Sequence, residues 1–248
     1  MRGCALIISF VLGATGAAAQ SGANWNYAGK TGPLAWGRLD PAYQACSKGH
    51  EQSPIDIHGA HLNKKLQPIE FHYIAASLEL ENTGNLIVAK VKPGSYIVVD
   101  GVRYDLQRFE FHHPSETAVN GKLTDMDVEL LHKNSEGKMA IVEVRMALDR
   151  GSPNAVLAML WPHLPKAAGA KETVSDMVNP AGFLPADRGY WTYMGSLSTP
   201  PCTEGVRWFV FENEISLSLD QIRAFTYLFR LNSRPLQDAH GRRIQANE

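Results

Sequence analysis

Residues 95–112 read SYIVVDGVRYDLQRFEFH, and their pattern points to a β fold. Two β-rich runs, Ser95 to Val99 and Val102 to His112, flank Asp100-Gly101, a dipeptide suited to the φ > 0 positions of a tight hairpin turn. Working outward, Leu78 and Leu80 alternate with polar neighbours, and Leu86 to Val91 reads as a strand. Asp127 to His132 and Met139 to Met146 form a second pair around Asn134-Ser135-Glu136-Gly137, and Arg207 to Phe211 is a further strand. Helices are few. Ala155 to Leu164 is a short candidate interrupted by Pro162, and Leu219 to Leu231 is a longer one. In the latter, Leu219, Ile222, Phe225 and Phe229 recur at helical spacing behind a Ser218/Gln221 capping box. Residues 21–54, rich in Gly, Pro, Trp and Tyr, read as an irregular segment pinned by aromatic rings.

The chain of 248 residues fits one large domain or two small ones, at about 150 residues per domain. No repeat, low-complexity tract or linker divides it. Apolar residues at 44% and charged residues at 20% supply a full core and exclude wholesale disorder. Lys plus Arg (24) nearly equals Asp plus Glu (25), so there is no broad basic field and nucleic acid is not an expected partner. The expected class is mainly β (α+β): a single domain with a large central, mostly antiparallel sheet and short peripheral helices.

The first residues read as an export signal: Arg2, an apolar run from Cys4 to Leu12, then Ala17-Ala18-Ala19 before Gln20. The alternative is a buried N-terminal helix. The expected division is a signal peptide at 1–19 and a mature domain at 20–248, exported to a periplasm. No apolar run is long enough to span a bilayer. Processing leaves two cysteines, Cys46 and Cys202, which in an oxidising compartment form one disulfide or remain two unrelated buried thiols.

Within Arg108-Phe109-Glu110-Phe111-His112-His113-Pro114, strand alternation turns Glu110 and His112 to one face and Phe109, Phe111 and His113 to the other. Asp127, Glu129 and Leu131 share a face on a second strand. If the two strands pair, Glu110, His112 and Glu129 converge; by spacing alone such residues more often line the solvated side of an amphipathic strand.

Several motifs occur in a fixed order along the mature chain. They are Trp25-Asn26-Tyr27 with Gly32-Pro33 and Trp36; Gln52-Ser53-Pro54-Ile55-Asp56-Ile57; and Phe109 to His112 with Pro114-Ser115-Glu116. Tyr190-Trp191-Thr192-Tyr193 then leads into Gly195-Ser196-Leu197-Ser198-Thr199-Pro200-Pro201-Cys202, and Arg234-Pro235-Leu236-Gln237 closes the series. Together they resemble the α-class carbonic anhydrases of the exported bacterial type. That resemblance implies reversible CO2 hydration by a metal-bound hydroxide, with three histidines holding Zn2+. It also implies a Cys46–Cys202 disulfide.

In this chain the three ligand positions are Glu110, His112 and Glu129, so two of the three imidazoles are replaced by carboxylates. Zinc remains a credible ion, with Mn2+, Fe2+ or Co2+ as alternatives for an oxygen-rich set; the competing state is a metal-free, hydrogen-bonded carboxyl pair. Asp127 stands where the family has the Glu that supports the third ligand, Thr117 replaces a histidine, and Asn85 replaces a proton-shuttle histidine. The resemblance gives Ser198 and Glu116 the roles of the hydroxyl that contacts the metal hydroxide and the carboxylate that orients it. Leu131, Ile141, Leu197, Thr199, Val206 and Trp208 fall on the CO2 pocket. His113, His132, His58, His61, His72, His163 and His240 receive no site role, and Glu143 and Arg145 are charged residues on an otherwise apolar strand.

Three functions remain open. The first is a carbonic anhydrase, weak or active at alkaline pH, whose partners are CO2 and bicarbonate. The second is a catalytically silent binding or scaffold protein of the same fold, and the third a hydrolase or other metal enzyme using the remodelled centre.

Overall fold

The computed structural model describes residues 24–149 and 153–247, so the export segment expected at 1–19 lies outside the described residues. The hairpin forms as its turn chemistry requires. Strands Tyr96–Val99 and Val102–His112 pair antiparallel around Asp100 (φ 50°) and Gly101 (φ 76°), both left-handed as a two-residue turn demands. The long second arm then pairs antiparallel with Met126–Lys133, and that strand with Met139–Leu148. Met139–Leu148 runs parallel to Glu204–Phe211, which pairs antiparallel with Tyr190–Ser196. On the opposite flank lie Ile87–Val91, Ala76–Asn82 and Lys171–Val178, all antiparallel. Among the described residues thirteen strands join in this one sheet.

Alternation gives the central strands two different buried faces. On one, Phe109, Phe111, Val128, Leu130, Val142 and Val144 are fully buried. Phe111 meets the rings of Trp161 at 5.0 Å, Phe183 at 5.9 Å and Phe225 at 6.3 Å, which docks the short helices there. One is Ala155–Leu160, passing into a 3-10 turn Trp161–His163. The other, Leu219–Thr226, carries the expected capping box but ends five residues before Leu231. Phe229 stays buried and its ring lies 5.6 Å from Phe225, so the periodicity beyond Thr226 recorded burial without helix. Among the described residues no helix is long and apolar enough to cross a membrane.

The N-terminal segment is pinned by aromatic rings, with Trp36 fully buried and edge-on to Trp25 at 5.1 Å and Tyr27 at 5.6 Å. Cys46 and Cys202 form a disulfide that closes a loop with a sequence separation of 156. Their carbonyls and neighbours are tied as well: Gln52 donates to the Cys202 carbonyl and Arg234 to the Cys46 carbonyl. In the chain-entropy account a loop of this length stabilises by up to about 5 kcal/mol. Reducing the disulfide, or replacing both cysteines by Ser, is therefore expected to lower the thermal midpoint by several degrees or more; an unchanged midpoint by calorimetry would show that the crosslink does not constrain the unfolded chain.

Candidate metal centre

The strand register arranges the second buried face in three successive rows. Glu110, Glu129 and Glu143 lie abreast on Val102–His112, Met126–Lys133 and Met139–Leu148. On one side of that row stand His112, Asp127 and Arg145; on the other, Arg108, Leu131, Ile141 and Trp208. The sheet thus brings together the three residues expected as ligands. Their face is not solvated: Glu110 is 4%, His112 0% and Glu129 1% exposed.

A ring nitrogen of His112 and one carboxylate oxygen each from Glu110 and Glu129 lie within 4.8 Å of one another. His112 Nδ1 donates to Asp127 Oδ1 at 2.9 Å, leaving Nε2 buried without a hydrogen-bond partner. A carboxylate that holds one imidazole nitrogen fixes the ring and frees the other nitrogen for a metal. The resemblance assigns Asp127 to the support of the third ligand position; its hydrogen bond runs to the second. Its other oxygen, Oδ2, accepts the Glu116 backbone N–H at 2.6 Å. Glu129 Oε1 is likewise buried without a partner. Two carboxylates and an imidazole, with orphaned donor atoms on two of them, fit a divalent cation.

The remaining expected residues are placed as follows. Ser198, 2% exposed, donates at 3.5 Å to Glu129 Oε2, a long contact. Glu116 Oε1 accepts the Arg234 N–H at 2.8 Å, and the Ser198 hydroxyl neighbours the Glu116 carboxylate, whose pKa burial raises and that hydroxyl works to lower, as well as the carboxylate of Glu129. Leu131, Ile141, Val206 and Trp208 form one apolar cluster, with Leu197 packed against it and Thr199 buried on the same loop. Asn85 is tied to the Trp25 carbonyl at 2.8 Å. His132 is buried beside the Tyr73 hydroxyl at 2.8 Å, and His113 bonds the Asp125 carbonyl, both away from the centre.

Two residues emerge that sequence reasoning did not place. Arg108, one-third exposed, donates through Nε to Glu110 Oε2 at 2.8 Å, so a cation of the chain already neighbours one ligand position. Glu143 is fully buried and accepts from the Thr117 hydroxyl and, at 3.3 Å, from the Thr117 N–H. Its visible signal was a single acid inside the apolar run Ala140 to Val144. Arg145 reaches past the centre to Glu214 and to the Glu212 carbonyl, each at 2.8 Å.

Crowding so many carboxyl groups away from water raises their proton affinity. Burial first, then the charges of Glu116, Asp127, Glu110 and Glu143, holds the Glu129 pKa well above the carboxylate range. Burial and Asp127 do the same to Glu143 against the opposing Thr117 hydrogen bond. For His112, burial alone would depress the pKa, but Glu116 and Asp127 outweigh it and hold it up to about 10. Burial pulls His132 down to about 3.

A group whose pKa is raised on folding stabilises the native state below its unfolded pKa and loses that contribution as pH climbs through the folded value. His112, Glu129 and Glu143 share this sign, whereas His132 acts below 6.5. Metal-depleted protein is accordingly expected to lose thermal stability as pH rises from 6.5 to about 10, and a midpoint that holds steady or climbs across that range would contradict the protonation pattern.

Comparison with known proteins adds an independent result. The family model described as "Eukaryotic-type carbonic anhydrase" matches residues 31–248. A Klebsiella pneumoniae protein named "Carbonic anhydrase" is 37% identical over 222 residues, covering 88% of this chain and 89% of the relative. Among solved structures, the α-carbonic anhydrase from Thermovibrio ammonificans in complex with sulfanilamide superposes with a TM-score of 0.87 at 35% identity, covering 90% of this chain and 99% of that one. Dioscorin complexed with ascorbate superposes with a TM-score of 0.84 at 28% identity, covering 90% of this chain and 97% of that one.

Proposed function

The chain belongs to the eukaryotic-type carbonic anhydrase family, and on that premise we propose that Glu110, His112 and Glu129 hold a divalent cation and that the protein interconverts CO2 and bicarbonate, weakly or at alkaline pH. Zinc is the family's usual ion; Mn2+, Fe2+ or Co2+ suit the oxygen-rich donors as well. A dication there supplies Lewis-acid polarisation of water. The observation that carries the reading is His112, buried, oriented through Nδ1 by Asp127 and with Nε2 free.

The chain's own residues set the character of the site. Glu110 and Glu129 offset the charge of a dication, so less of it remains to acidify water, which moves activity to higher pH than three neutral imidazoles would give. Ser198 keeps a hydroxyl beside the Glu129 carboxylate. Leu131, Ile141, Leu197, Val206 and Trp208 offer an apolar wall suited to an uncharged, linear substrate and hostile to bulk water. Asn85 cannot titrate near neutrality, so proton export needs buffer or another titrating group. A signal at 1–19 ahead of a domain at 20–248, with delivery to the periplasm, completes the proposal; bacterial relatives and the disulfide support it.

One observation favours a second reading. The Arg108–Glu110 ion pair neutralises a ligand position without a metal, as a silent binding module of the same fold would need.

Elemental analysis of protein exported by its own signal, with CO2 hydration followed from about pH 6.5 to about 9.5, separates the two. Stoichiometric metal with a rate that climbs with pH is expected. Glu110→His combined with Glu129→His is expected to tighten zinc binding and to raise the rate near neutrality. Folded protein with neither metal nor turnover leaves the silent module, and a double variant that still refuses zinc would refute the placement of the ligands.

A further inference from the structure

Two carboxylate ligands leave the site poor in positive charge. Three neutral imidazoles would let a dication present its full charge to a bicarbonate ion, whereas Glu110 and Glu129 cancel most of it. Glu116, Asp127 and Glu143 are buried around them, so the surroundings are acidic as well. An anionic substrate then depends on a cation supplied by the chain itself.

Three basic side chains around the centre are already engaged. Arg145 directs its guanidinium to Glu214 and the Glu212 carbonyl, and Arg234 reaches the carbonyls of Ser53 and Cys46. Lys90, in register with Arg108 on Ile87–Val91, is paired with Glu79 and Glu81. Arg108 differs from all three. Strand alternation puts it on the face of Glu110 and His112, opposite Leu131, and the ladder continues through Ile141 to Trp208. Its Nε donates to Glu110 Oε2 at 2.8 Å, which anchors one edge of the guanidinium, while the side chain stays 32% exposed. Neither terminal nitrogen, Nη1 nor Nη2, donates to a described residue. A counter-ion for Glu110 needs only the Nε bond. The open pair of terminal nitrogens beside an apolar wall is the donor arrangement that a small planar oxyanion matches with two of its oxygens.

We propose that Arg108 is the anion-docking residue of this site, its terminal nitrogens holding two oxygens of bicarbonate beside Leu131. This rests on the reading of the centre given above and deepens it. The positive charge that the two glutamates remove from the ion is returned by a guanidinium, which makes Arg108 the residue that sets the preference of the site for small planar oxyanions.

The test uses mature full-length protein loaded with Mn2+, with bound metal counted by elemental analysis and isotopically labelled bicarbonate as the probe at fixed pH and ionic strength. Relaxation of the labelled carbon by the bound ion gives the bicarbonate dissociation constant without reference to turnover. Arg108→Gln, which removes the charge, is expected to weaken bicarbonate binding about tenfold or more. Arg108→Lys keeps the charge but loses the fork, and is expected to weaken it about threefold. The difference between wild type and Arg108→Gln is expected to shrink as salt is raised. A purely structural role for Arg108 would alter metal retention and leave bicarbonate affinity alone. Metal-loaded Arg108→Gln that binds bicarbonate within about twofold of the wild type would therefore overturn the inference while leaving the centre in place. A wild type that takes up no ion would instead remove the reading of the centre, and this inference with it.

Discussion

The register between three adjacent strands is the constraint on which the rest of the structure depends. Pairing Glu110 with Glu129, and Glu129 with Glu143, stacks three carboxyl groups abreast in the interior. The same ladder sets His112 beside Asp127 and Leu131 beside Ile141. A slip of one residue would exchange the two faces, burying the acids among the helices and turning Phe109 and Phe111 to the polar side. The aromatic packing of Phe111 against Trp161, Phe183 and Phe225 opposes that slip. Ordinary hydrophobic burial on one face thereby holds an electrostatically unfavourable arrangement on the other.

Asp127 connects that arrangement to the rest of the molecule. It grips His112 with one oxygen and the Glu116 backbone with the other; Glu116 in turn receives the Arg234 N–H, and the Arg234 guanidinium reaches the carbonyls of Ser53 and Cys46. A continuous set of hydrogen bonds thus runs from the disulfide to the imidazole. Glu143 and Thr117 also act as a unit, the buried acid accepting from the Thr117 hydroxyl and backbone N–H. Beside these contacts three buried atoms, His112 Nε2, Glu116 Oε2 and Glu129 Oε1, have no hydrogen-bond partner.

Strand alternation, the Asp100-Gly101 turn, the Ser218/Gln221 cap and the motif order were readable directly, because each depends on neighbours within a few residues. The helix after Leu219 was overextended for the complementary reason: Phe229 is apolar because it packs on Phe225, and a non-helical turn delivers it there as well as a helix would. Glu143 was visible only as an anomaly, since its partners Thr117 and Glu129 come from other strands and loops.

Sequence alone was enough for the family, the mainly β architecture and the division of each strand into two faces; the convergence of Glu110, His112 and Glu129 it gave only on the condition that their strands pair. It could not tell whether those three face water or lie buried, nor that Asp127 would choose His112, that Arg108 would clasp Glu110, or that Glu143 would join the row. Those outcomes depend on which residues stand opposite one another across the ladder, and on how much water is excluded when distant segments close over them. Alternation is a property of a single strand; partnership and burial exist only once the strands have been set side by side.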